Sequence, residues 1–293
     1  MKLKELAKLL LPPLVVGGLR SLRRALVPER RDSPAFQEWE YVPEGWRRVA
    51  CVRGWNVDNV VQAQTAKWRE FVRLTRGTGP LGIYHEAAML SNISYVAHNT
   101  LMTYGYVLAM AARKRDRITL LDWGGGVGHY CVISRALMPD LEVGYHCRDV
   151  PLLCRGGRSL LPDARFHEDD DECFSRTYDL VLVSGSLHYW QDWKGLAQRL
   201  AGVSRPYLYV TRLPIVQRSQ SFVTIQRPTQ HGYDSEYLGW FLNRQEFLDH
   251  MQLMGTTLVR EFLIEERPVV HGAPEQGEFR GFLFVSQERE ASP

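Results

Sequence analysis

The sequence is poor in the features that define several protein classes. Its five cysteines, at positions 51, 131, 147, 154 and 173 of 293 residues, are an odd number with no CxxC pair. That excludes a disulfide framework and the common zinc-ligand spacing, and it fits a reducing cytoplasm. No apolar run approaches the ~20 residues that a membrane-spanning helix requires. Internal repeats and low-complexity tracts are absent, and 45% hydrophobic with 24% charged residues is the composition of a soluble globular chain.

Positive charge is scarce on the body of the chain. Residues 1–31 carry eight Lys/Arg against two Glu, and the remainder carries 28 basic against 31 acidic residues, so the net charge of +3 arises at one end. Enzymes of nucleic acids neutralise phosphates with a basic stripe on the folded body, and no nucleic-acid partner is expected here. Within the basic segment Leu3, Leu6, Ala7 and Leu10, and beyond Pro12-Pro13 also Val15, Leu19, Leu22 and Leu26, fall at helical spacing. Two short amphipathic helices are expected. They suit either an anionic membrane surface, on the inner face of the membrane, or an arm packed on the body or on a second subunit of a homo-oligomer. The proline pair and the lack of a small-x-small cleavage site argue against an export signal.

Along the chain, three regions are expected: the basic segment 1–31, a mainly helical preface or cap over 32–112, and an α/β core over 113–293. In the core, short apolar runs alternate with helical stretches, as in a doubly wound sheet that is mostly parallel. Strands are predicted over 118–122, 142–147, 164–167, 178–186 and 207–213, with helices over 127–137, from 152, and over 244–254. Two strand-like stretches, TLVREFLIEE and FRGFLFVS, close the chain as an antiparallel pair. Residues 215–242 show neither periodicity and read as a lid insertion.

The strongest chemical signal is TLLDWGGGVGHY: an apolar strand ending in Asp122, then Gly124, Gly125, Gly126 and Gly128, then a helix. Glycines in such a turn let the backbone bend sharply and approach a ligand closely. The spacing is GxGxG, without the third glycine of a dinucleotide-binding GxGxxG, which disfavours a nucleotide-dependent oxidoreductase.

The motif resembles that of class I S-adenosylmethionine (SAM)-dependent methyltransferases. The resemblance implies a Rossmann-like, mostly parallel seven-stranded sheet with a terminal antiparallel pair, preceded by a helical segment, and SAM as cofactor. It implies a glycine turn under the methionine end of SAM, with Asp122 contacting the amino group. It places Asp149, in HCRDVP, at the ribose hydroxyls, with Arg148 or Cys147 as alternatives and a helix N-cap as the plainer role of Asp149. In FHEDDDECF, one of His167, Glu168 or Asp169 would lie beside the adenine. The remaining acids read as a solvated loop, and no metal site is expected. Topology alone brings Ser184, Gly185, Ser186, His188 and Tyr189, after the fourth strand, to the ligand crevice.

Over about 39–285 the chain also resembles a bacterial methyltransferase family of largely unassigned substrate, associated with cell-surface polysaccharide and lipopolysaccharide genes. The matching pieces are GWN at 54–56, His98-Asn99, LDWGGGVGHY, SGSLHYWQDW, Thr211-Arg212 and the stretch from FLNRQEFLDHM to EFRGFLF. This implies O-methylation of a saccharide or other small hydroxyl acceptor in surface-glycan biosynthesis. Removal of the hydroxyl proton calls for a base, and His188 is the leading candidate, followed by His98 and His85, with His231 in the lid. Relatives often carry Gln at the position of His188, a departure that separates this residue from any family-wide role. The contrasting reading is a non-catalytic methyltransferase-like module that recruits a biosynthetic complex to the membrane; intact glycines and both acids argue against it.

Overall fold

The structure, a computed structural model, describes residues 38–47, 54–83 and 93–286. The basic segment 1–31, Cys51 and His85 lie outside the described residues.

The sheet starts from two strands that are apolar on both sides. β2 (Arg117–Trp123) and β5 (Tyr178–Ser184) pair in parallel at its centre. Successive side chains point to opposite faces, so Leu120 and Leu182 enter one core cluster while Leu121, Val181 and Val183 enter another. On the first face pack α3 (Tyr95–Ala111), α4 (His129–Leu137) and α5 (Pro151–Leu160); on the second pack α7 (Trp193–Val203) and α8 (Arg244–Leu253). α6 (Asp170–Phe174) is a single short turn between strands.

Outward from β2 run β3 (Glu142–Arg148) and β4 (Arg165–His167), both parallel. Outward from β5 run β6 (Ser204–Val216), then β11 (Glu278–Ser286), antiparallel, and β9 (Thr256–Leu263). The order β4-β3-β2-β5-β6-β11-β9 is the seven-stranded arrangement implied by the sequence, with β9 and β11 as its antiparallel pair.

Two features differ from the sequence reading. Residues 215–242 are not a loose lid: they contribute β7 (Phe222–Gln226) and β8 (Tyr237–Asn243), hydrogen-bonded to each other in antiparallel register. β8 joins the far end of β6, and β7 is followed outward by β1 (Trp39–Tyr41) and β10 (Val270–His271). The pattern of β7 is masked because its polar residues are buried and satisfied: Gln226 accepts from the Tyr189 hydroxyl at 2.5 Å and donates to Glu38 at 2.8 Å. The cap is also not purely helical, since β1 precedes α1 (Asp58–Ala66) and α2 (Trp68–Arg76).

Candidate functional site

Strand order reverses between β2 and β5, and in open α/β sheets a ligand crevice forms at the carboxyl ends of the strands at that point. A cavity of about 310 Å³ lies there. Its floor is the turn between β2 and α4. Gly124, Gly126 and Gly128 have φ of +73°, +62° and +94°, backbone geometry that side chains resist, which is why these three positions are glycine. The turn is held from below: the Gly124 N–H donates to the Arg148 carbonyl at 2.8 Å and the Gly126 N–H to Asp149 Oδ2 at 2.8 Å.

Asp149 lines the cavity directly after β3 and is only 8% exposed. Burial raises its pKa, opposed by the N–H donors of Val150 and Gly126. Arg148 lies beside it, stacked on the Trp123 ring at 4.6 Å, whereas Cys147 is fully buried and does not line the cavity. Ser184, at the end of β5, and Gly185 and Ser186 just past it also line the cavity, as topology implies. The Tyr130 and Ser184 hydroxyls meet at 2.9 Å, and the Ser186 hydroxyl donates to the Trp123 carbonyl at 2.7 Å.

Other predicted residues lie elsewhere. Asp122 is fully buried beneath the turn rather than in the cavity: a Cβ at Gly125 would come within 2.4 Å of its Oδ2. Burial pushes its pKa up to about 7, although the Tyr145 hydroxyl donates to it and lowers it. Glu168 pairs with Arg158 at 2.5 Å, and Asp169 caps α6 by accepting from the Asp171 N–H at 2.6 Å, so neither faces the cavity. His167 is buried against His146, with its Nε2 2.9 Å from Nδ1 of that ring.

His188 is the principal correction. Its ring is 1% exposed, packed against Tyr189 and Phe279 and absent from the cavity lining, and neither nitrogen has a hydrogen-bond partner among the described residues. Burial alone lowers its pKa to about 3, so it stays neutral without access to a ligand. His98, on α3, and His231, whose Nε2 lies 3.7 Å from Glu38, are also absent from the lining. The acids of 168–172 are engaged in ion pairs and caps, with Asp170 and Asp171 on Arg199 and Glu172 beside His167.

The remaining wall comes from the cap and the sheet extension. Gly54, Trp55 and Asn56 line the cavity. Trp55 stacks on Tyr237 of β8 at 4.0 Å and meets Tyr189 edge-on at 5.2 Å. The stretch is clipped by Ser235, whose hydroxyl donates to the Gly54 carbonyl at 2.5 Å, and Asn56 Oδ1 accepts from the Leu152 N–H at the start of α5 at 3.1 Å. Arg212 reaches the lining from β6 with φ of +49° and pairs with Glu266 at 3.2 Å. Gln64 was missed by sequence reasoning, although a glutamine one helical turn from Val60 on the buried face of α1 is itself a signal.

A methyltransferase-domain family matches residues 99–258, more than half of the chain. No curated protein matches it. Among solved structures, a proposed sarcosine dimethylglycine methyltransferase from Galdieria sulphuraria is 13% identical, with a TM-score of 0.50 over 78% of this chain and 99% of the other. An S-adenosylmethionine-dependent methyltransferase from Clostridium acetobutylicum is 10% identical, with a TM-score of 0.45 over 75% and 98%. The 1,6-didemethyltoxoflavin-N1-methyltransferase of Burkholderia thailandensis is 12% identical, with a TM-score of 0.42 over 78% and 89%. At these identities the likeness is one of fold. The family match, the strand order and the glycine turn agree: the chain belongs to the methyltransferase-domain family and is a SAM-dependent methyltransferase of class I fold.

Proposed function

We propose that the protein O-methylates a saccharide or similar small hydroxyl acceptor in cell-surface glycan biosynthesis. The observation that carries this reading is a single cavity with a glycine turn on one side and an aromatic wall, Trp55 and Tyr189, with Arg212 on the other. Aromatic faces suit the apolar faces of sugar rings, and a few placed polar groups give orientation. The residues fit the cofactor: the glycine turn and the buried Asp149 carboxylate line one cavity of about 310 Å³, and the buried Gln64 Oε1 beside it has no hydrogen-bond partner among the described residues, an acceptor open to a donor on the ligand. SAM, when bound, supplies the methyl group as an electrophilic sulfonium carbon.

In this reading residues 124–128 bind the cofactor, Asp149 accepts from the ribose hydroxyls, Arg148 and Trp123 flank the nucleoside, and Ser184 and Gly185 line the transfer path. The core over 113–293 carries the cofactor and the cap over 32–112 covers it. Alignment of the acceptor and exclusion of water are the protein's main contributions, worth roughly 7–11 kcal/mol in well-oriented reactions. The hydroxyl proton leaves as the new O–C bond forms. In this reading the proton passes to the His129 imidazole, which lines the cavity, while the Tyr130 and Ser184 hydroxyls, bonded to each other at 2.9 Å, stay neutral and only orient the acceptor.

Residues 1–31 are proposed to attach the enzyme to anionic lipid, where a lipid-linked glycan would be met at higher effective concentration. Among the described residues no helix is long and apolar enough to cross a membrane. A second copy of the chain is the other proposed partner of this segment. Co-sedimentation with anionic vesicles of the full chain and of a chain starting at Asp32 separates the two; equal partitioning would contradict attachment through 1–31.

Methyl-labelled SAM and a panel of saccharide acceptors test the reaction. The expected product carries label that resists mild alkali, as an ether does. Label released by alkali, as from an ester, or found on nitrogen would contradict O-methylation of a hydroxyl.

A further inference from the structure

The cap places one polar group over the glycine turn whose bonding is incomplete. Gln64 is 5% exposed and lines the cavity. Its Nε2 donates to the Tyr233 hydroxyl at 3.4 Å, which orients the amide. Its Oε1 is buried without a hydrogen-bond partner among the described residues and faces Gly126, 2.9 Å from where a Cβ would stand. A buried amide oxygen is seldom left bare, and one beside a cavity at the glycine turn is suited to a donor carried by the ligand.

Asp122, the acid that the sequence motif assigns to the cofactor's amino group, does not reach the cavity. A side-chain acceptor for the ammonium is then supplied from another element if one faces the turn, and Gln64 of α1 does. On the cofactor placement given above, we propose that Gln64 binds the amino-acid end of SAM, its Oε1 accepting from the α-ammonium. Cofactor binding then ties α1 to the β2–α4 turn across the crevice. Asn56 fixes the same cap segment to the N-terminus of α5, so both attachments converge on the cofactor.

Calorimetry on the full chain tests this with two ligands. S-adenosylhomocysteine carries the amino-acid group; 5′-methylthioadenosine keeps the nucleoside and thioether but lacks it. Gln64→Leu is expected to weaken S-adenosylhomocysteine about tenfold or more, the loss of one hydrogen bond to a charged group, and to leave methylthioadenosine unchanged. Gln64→Glu, which keeps an acceptor, is expected to retain or tighten S-adenosylhomocysteine binding. Gln64→Met repeats the comparison should the leucine variant not fold. Unchanged S-adenosylhomocysteine affinity, or equal weakening of both ligands, would overturn the role of Gln64 while leaving the cofactor site intact. A wild-type chain that binds neither ligand would overturn the cofactor placement itself.

Discussion

A histidine just past the end of a central strand, three residues after a glycine in the left-handed region, has the sequence position of a base, and at His188 burial away from the cavity lining argues against that role. The ring lies in an aromatic niche with both nitrogens bare. His188→Leu replaces an unsatisfied polar ring with an apolar group, so the unfolding free energy at pH 7 is expected to stay level or rise by up to about 1–3 kcal/mol, with methyl transfer retained. The folded pKa of about 3 lies below the ordinary histidine value of 6.5, so the unfolded chain takes up a proton that the folded chain refuses. Wild-type stability should therefore fall relative to the variant as pH drops from 6.5 toward 3, by at most about 1.4 kcal/mol per unit, measurable by denaturant titration. Asp122 behaves in the opposite sense. Its folded pKa of about 7 lies above 3.8, so the folded state keeps a proton that the unfolded chain releases, and stability is lost as pH rises through this window. Asp122→Asn should remove that slope, and parallel pH profiles of the two proteins would contradict it. Residue type and position were legible for both groups. Their burial was not, because it depends on side chains from β3, β8 and β11 that are remote in the chain.

At the scale of elements, periodicity revealed the strands whose two faces are alike and missed those whose polar residues are satisfied inside. β2 and β5 read as continuous apolar runs, and the glycine turn between β2 and α4 was fully legible. β7 was not, since Thr224 and Gln226 are buried, the Thr224 hydroxyl donating to the Gly239 carbonyl of β8 and Gln226 accepting from the Tyr189 hydroxyl. Helix α5 shows a local conflict of another kind. Gly156 and Gly157 lie inside it, where each glycine costs about 0.5–1 kcal/mol relative to alanine. The packing explains them: a Cβ at Gly157 would come within 2.2 Å of the Phe166 ring on β4, and one at Gly156 within 3.1 Å of Val61 on α1. Gly157→Ala is expected to destabilise by roughly 1–3 kcal/mol through overpacking, despite the better helix propensity. Thermal unfolding checks the sign; a rise in the midpoint would show that α5 can move away from β4 freely.

At the scale of the whole molecule, the class I sheet supplies the glycine turn and Asp149 to the crevice, and the parts added to it supply Trp55 and Gln64. The extension β8-β7-β1-β10 grows from the far end of β6 and carries Tyr237, against which Trp55 stacks. The matching stretches GWN, SGSLHYW and Thr211-Arg212 are far apart in sequence, yet each contributes to one cavity. The account rests most heavily on the cofactor lying over residues 124–128 against Asp149. The most direct test is calorimetric titration of S-adenosylhomocysteine into the wild-type chain, Gly126→Val and Asp149→Ala, with folding of each checked by circular dichroism. Wild type is expected to bind at one site. Gly126→Val should lose binding through the side chain placed in the turn, and Asp149→Ala should weaken it by about tenfold or more, as hydrogen bonds to a charged group worth ~1.5–3 kcal/mol are removed. Folded variants that bind as tightly as wild type would contradict the account.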